Sequence, residues 1–156
     1  MIEPAGSTID RLVPELRSGG FMRVKSSNYH EEFKRGDVTV AYSCGRYGEE
    51  LMCFVTDACQ FRFQMSSYVA IVDPPAAAQS RANGRENDVD QLDFDHTNYA
   101  AISNRYYLTM QALLSSFLKN WPSGKSILDG EAKERMKQRD RDVLGSFGLS
   151  REQTYL

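Results

Sequence analysis

The sequence predicts an α+β domain: an antiparallel meander of four or five strands, a long amphipathic helix packed on one face, and further helices at the N- and C-termini. Three observations carry this reading. Apolar and polar residues alternate through 37–44, 50–56 and 60–65, the period of a half-buried strand. Only short turns separate these runs, and short connections join antiparallel neighbours, because parallel ones need a crossover. From Ile102 to Trp121 the apolar period lengthens to that of a helix. The length, 156 residues, fits a single domain over 1–156. Such a chain buries roughly two thirds of its unfolded surface, enough for a core without metal or disulfide.

The elements follow in order. Ser7 with Asp10 three residues on reads as a capping box opening an N-terminal helix, whose stripe is Ile9, Leu12, Val13 and Leu16. Pro14 conflicts with a regular helix interior, and Gly19-Gly20 supplies a C-terminal stop. Residues 21–25 form a short strand, and the polar 28–36 a loop or strand edge. In the 37–44 strand Val38, Val40 and Tyr42 share one face. Leu51, Cys53 and Val55 do so in the next strand, and Phe61, Phe63 and Met65 in the third. Tyr68 to Val72 reads as a further strand ended by Asp73-Pro74-Pro75, since proline cannot serve an interior ladder position. Residues 74–95 read as a flexible acidic loop, long for a compact domain. The helix at 98–121 carries Ile102, Tyr106, Met110, Leu113, Phe117 and Trp121 on one stripe. A polar helix over 129–147 has only Ala132, Met136, Val143 and Phe147 as its apolar edge, so it belongs at the rim.

Composition narrows the function classes. The chain has 19 Lys+Arg against 21 Asp+Glu, a net charge of −2, so no global basic field for nucleic acid exists. Lys133, Arg135, Lys137, Arg139 and Arg141 recur every second residue and sweep around a helix, interrupted by Glu134, Asp140 and Asp142. No apolar run is long enough to span a membrane, and the start lacks a signal peptide's basic and apolar regions. Cys44, Cys53 and Cys59, an odd count without a tight framework, read as buried thiols in a reducing, cytoplasmic compartment.

Chemistry-bearing constellations are few. There is no P-loop, no G-x-S-x-G elbow, no H-E-x-x-H and no C-x-x-C. Asp88, Asp90, Asp93 and Asp95 alternate as oxygen ligands would, but no glutamate closes an EF-hand loop behind them, so no metal and no cofactor is expected. Asp93-Phe94-Asp95-His96, with His30, could supply acid–base chemistry only if the fold brought them together. Glu49-Glu50 fail as a glycosidase pair, because adjacent strand residues point to opposite faces. What stands out is charge. Between Arg81 and Tyr99, Arg81 and Arg85 face Glu86, Asp88, Asp90, Asp93 and Asp95.

Part of the chain resembles a known group. Gly20-Phe21, Gly36-Asp37-Val38-Thr39-Val40, Tyr47-Gly48-Glu49-Glu50 and the run from Val55 to Phe63 are similar to small bacterial cytosolic immunity-type proteins over residues 8–65. Their middle turn often reads Asp-Arg-Gly-Gln, where this chain has Asp57-Ala58-Cys59-Gln60. The resemblance implies a non-enzymatic inhibitor that neutralises a bacterial toxin, and it carries no functional residue across. A basic toxin domain would meet an acidic face. The expected contact residues are therefore Glu86, Asp88, Asp90, Asp93 and Asp95, with Tyr99 and Tyr47 as aromatic anchors. Two other classes stay open: a small enzyme or ligand-binding domain with a pocket between sheet and helix, and a structural homo-oligomer.

Overall fold

The computed structural model describes residues 1–86, 96–124 and 130–146. Its element order is α1 (Ala5–Ser18), β1 (Met22–Ser26), β2 (His30–Arg35), β3 (Val38–Ser43), β4 (Met52–Thr56), β5 (Arg62–Gln64), α2 (Met65–Val72), α3 (Pro74–Glu86), a 3-10 turn (His96–Asn98), α4 (Tyr99–Gly124) and α5 (Glu131–Ser146). The strands form one antiparallel sheet in sequential order, β1-β2-β3-β4-β5, as the short turns predicted. Phe33, Val40, Tyr42, Val55 and Phe63 line its covered face, against Ile9, Leu12 and Leu16 of α1 and Leu114, Phe117 and Trp121 of α4.

Helix α1 ends in a Schellman motif. Phe21 N–H donates to the Leu16 carbonyl (2.9 Å) and Gly20 N–H to the Arg17 carbonyl (2.9 Å). Gly20 sits at φ +86°, the left-handed conformation this turn requires. Pro14 is tolerated inside α1 on its exposed side. The capping box is corrected: Pro4, not Ser7, is the N-cap. Ser7 lies inside the helix, donating to Glu3 Oε2 (2.6 Å) and sharing a hydrogen bond with Ser103 Oγ of α4 (2.7 Å).

Two further expectations are corrected. Residues 68–72 are helix α2 rather than a strand, because the chain turns at Gln64 and Met65 begins a helix that buries Met65, Tyr68 and Val69. Pro74-Pro75 opens α3 rather than closing a strand: Asp73 Oδ1 accepts from Ala76 N–H (3.3 Å) and Asp73 Oδ2 from Ser116 Oγ (2.7 Å), and proline is favoured in a first helical turn. The expected flexible loop is thus helical over 74–86, while 87–95 lies outside the described residues. Polar contacts seat α3 on α4, with Ser80 Oγ donating to the Thr109 carbonyl (3.0 Å) and Asn83 Nδ2 to the Leu108 carbonyl (3.0 Å). Helix α5 docks through fully buried Met136 and Asp140, the latter accepting from Ser67 Oγ at 2.6 Å.

Candidate functional site

The sheet has one open edge and one busy end. Every residue of β1 is exposed. Met22 is 58% exposed and Val24 54%, with Tyr29 at 45% in the turn that follows and Tyr47 at 64% in the β3–β4 loop. The two turns are tied together, since Cys44 N–H donates to the Tyr29 carbonyl at 3.0 Å. Within the second, Gly45 N–H donates to the Glu49 carbonyl (2.7 Å) and Tyr47 N–H to Glu49 Oε2 (2.7 Å). Gly48 sits at φ +79°, where an added Cβ would stand 2.5 Å from the Glu3 carbonyl oxygen. The loop that presents Tyr47 is therefore fixed against the N-terminal segment.

Charge along this edge is organised from below. Arg23 pairs in register with Phe33 and so shares its covered face, and the register then shifts between Arg23 and Lys25, a bulge that sets Lys25 opposite Glu32 on the other face. On the covered face the Arg23 guanidinium lies 3.1 Å from Glu31 and 5.4 Å over the Phe33 ring. Glu31 is buried, and also takes the Met1 ammonium (3.3 Å) and Ser26 Oγ (3.1 Å), so its desolvation is offset by several partners. Lys25 and Lys34 remain exposed beside Met22 and Val24.

On the opposite face of β2 and β3 lies a polar line. His30 pairs in register with Ser43, and Glu32 follows His30 on the same side of the strand. His30 Nδ1 is 2.7 Å from Ser43 Oγ, and His30 Nε2 is 2.8 Å from Glu32 Oε1. The hydrogen bond from His30 holds the Glu32 carboxyl below its ordinary range, and Lys25 and Lys34 add to this. No expectation from sequence joined these three. The only trace was His30-Glu31-Glu32, which places a histidine and a carboxylate on one face once 30–35 is known to be strand.

Of the expected contact residues, Tyr47, Glu86 and Tyr99 lie among those described. Tyr47 is exposed, whereas Tyr99 is half-buried at the start of α4. Glu86 is the last residue of α3, and Asp88, Asp90, Asp93 and Asp95 lie outside the described residues. His30 meets Glu32 and Ser43, and the His96 side chain is not among those described. Burial pushes the Cys53 thiol up to about 12, and burial with the nearby Glu49 charge raises Cys44, while Cys59 is exposed. Among the described residues no group of three His, Cys, Asp or Glu could hold a metal ion. Nor, among them, is any helix long and apolar enough to cross a membrane. No protein-family model, curated protein or solved structure matches the chain.

Proposed function

We propose that the chain is a protein-binding module that docks a partner along β1 and the turns bearing Tyr29 and Tyr47, acting as an immunity-type inhibitor of a bacterial toxin. One observation carries the docking surface. Met22, Val24, Tyr29 and Tyr47 are the exposed large hydrophobic residues among those described, and all four lie on this edge or at this end of the sheet. Clustered exposed apolar and tyrosine side chains are what protein interfaces desolvate. The basic side chains of Lys25 and Lys34 favour a partner that is acidic where it meets β1. A second copy of the chain fits this edge poorly, because antiparallel pairing of β1 with itself about Val24 would set Arg23 against the other copy's Lys25, and like charges across strands repel. The toxin identity follows the resemblance over residues 8–65, and the Glu86–Asp95 carboxylates stand in this reading as a second contact region of opposite sign.

The test is affinity capture of the tagged chain from its host, followed by co-expression with whatever partner stays bound. The expected result is one stoichiometric partner that arrests growth alone and is neutralised by the wild-type chain but not by the Met22→Asp/Val24→Asp variant. Capture that survives this variant but fails on charge reversal at Asp88, Asp90 and Asp93 moves the contact to the acidic segment and overturns the β1 site. Recovery of the chain alone, as a stable oligomer, overturns the inhibitor reading.

A further inference from the structure

We propose that Ser43 is an activated nucleophile, with His30 as its general base and Glu32 as the residue that positions His30, and that it accepts acyl groups from small activated esters. This does not rest on the docking reading. Hydrogen-bond bookkeeping fixes the proton directions. An ionised carboxylate only accepts, so Glu32 requires the His30 proton on Nε2 (2.8 Å). Neutral imidazole has then only a lone pair left on Nδ1, and the Ser43 hydroxyl at 2.7 Å must be the donor. A hydroxyl donating to an oriented imidazole base is the geometry that activates a serine. The ring is turned relative to serine proteases, where Nε2 faces the nucleophile. The chemical roles need only one accepting and one donating nitrogen.

Access and framework both fit. The side chains of His30 and Glu32 are 24% and 28% exposed, and Ser43 is half-buried, so a small ester can reach the hydroxyl. Direct cross-strand pairing of His30 with Ser43 holds the pair on rigid backbone rather than on a loop. The next two amides, Cys44 and Gly45, already donate to the Tyr29 and Glu49 carbonyls and do not serve as an oxyanion hole. General-base assistance alone is worth about 10²–10⁴ in rate, which suits aryl esters and thioesters and not amides.

With an aryl acetate the step balances as follows. Ser43 Oγ bonds to the acyl carbon, its proton passes to His30 Nδ1, and the bond between the acyl carbon and the aryloxy oxygen breaks to release the phenolate. The acquired proton neutralises the phenolate or returns to solvent. Water, deprotonated by the same His30, then releases acetate and restores Ser43.

The experiment uses p-nitrophenyl acetate with the full chain, following phenolate release and mapping the acetyl group by peptide mass spectrometry. The expected adduct is on Ser43, absent in Ser43→Ala, and formed about 100-fold more slowly in His30→Gln. Glu32→Gln keeps an acceptor for Nε2 but loses the negative charge beside the proton His30 takes up in the step, so its acylation rate falls about 10-fold, and Glu32→Asp, which keeps the charge, recovers most of that rate. A merely structural role for Glu32 would leave Glu32→Asp as impaired as Glu32→Gln. Acetylation confined to lysines or the N-terminus, an adduct that persists in Ser43→Ala, or a His30→Gln variant that is folded by circular dichroism and reacts at the wild-type rate would each overturn the proposal.

Discussion

Phe117→Ala tests the packing that holds the edge in place. Phe117 is fully buried and its ring meets three others: Phe21 at 6.3 Å, Tyr68 at 5.7 Å edge-on and Trp121 at 5.3 Å. These partners belong to the α1–β1 junction, α2 and α4, so one side chain ties three elements, and Phe21 immediately precedes β1. Deleting a buried Phe ring costs about 3–5 kcal/mol in lost transfer energy and cavity. Aromatic pairs add about 0.5–1.5 kcal/mol each beyond area, though not additively, so the upper half of that range is expected, about 4 kcal/mol. At about 2–4 °C per kcal/mol for a chain of this size, Tm falls by about 8–16 °C. The assay is urea unfolding followed by far-UV circular dichroism and by the fluorescence of the single tryptophan, Trp121, which is buried. Tyr47→Ala, at an exposed site, is the control and should stay within about 0.5 kcal/mol. A loss under about 1 kcal/mol at unchanged m would refute the argument, because the three ring contacts would then contribute nothing the site cannot recover by collapse.

Other outcomes follow from the same geometry. Gly48→Ala should cost more than Gly36→Ala by urea unfolding: both residues have positive φ, costing about 1–2 kcal/mol for a side chain, but only at Gly48 would a Cβ also meet the Glu3 carbonyl and Pro4, while nothing lies within 4 Å at Gly36. Equal costs would show that the loop yields freely. With a thiol reagent at pH 8, exposed Cys59 should react fast, Cys44 slowly, and Cys53 only on unfolding, its thiol being pushed up to about 12 by burial. Peptide mapping that found Cys53 modified in the native protein would contradict this. The lowered Glu32 carboxyl contributes stability that is fully present above its ordinary value of 4.5 and is lost as pH falls through its folded value. Glu32→Gln should therefore flatten the acid limb of the stability profile, and an unchanged limb would show the His30 contact contributes nothing to folding.

The elements legible in the sequence were those whose pattern had a single reading. Alternation of apolar and polar residues placed β3, β4 and β5, although burial itself does not alternate there, since Ala41, Phe54 and Gln64 on the other face are buried too. The stripe from Ile102 to Trp121 placed α4, and Gly19-Gly20 the stop of α1. Strand β2 was hidden because its buried positions are Glu31 and Phe33: a carboxylate inside the core breaks the apolar alternation, and its partners Met1 and Arg23 come from the chain's start and from the neighbouring strand. Tyr68-Val69-Ala70-Ile71-Val72 is a short apolar run rich in β-branched residues, for which periodicity cannot separate strand from buried helix. Helix α3 has no apolar stripe, because it is seated by Ser80 and Asn83 on carbonyls of α4.

The two proposed sites are neighbours built on different strands, which makes them separable. Met22 and Val24 occupy the outermost strand, while His30 and Glu32 lie one strand inward and Ser43 two. The ladder couples them where Lys25 pairs in register with Glu32 and Met22 with Lys34, and both lysines help keep that carboxyl ionised. Met22→Asp/Val24→Asp adds carboxylates on the edge without touching the His30–Ser43 hydrogen bond, so acylation should persist while docking fails. Ser43→Ala removes a half-buried hydroxyl and none of the exposed apolar surface, so docking should persist while acylation fails. Lys25→Glu should perturb both, by reversing the charge on the edge and by setting a like charge opposite Glu32. Loss of both activities in either of the first two variants, with folding intact, would mean that the edge and the relay form one surface and that Ser43 acts on the docked partner itself.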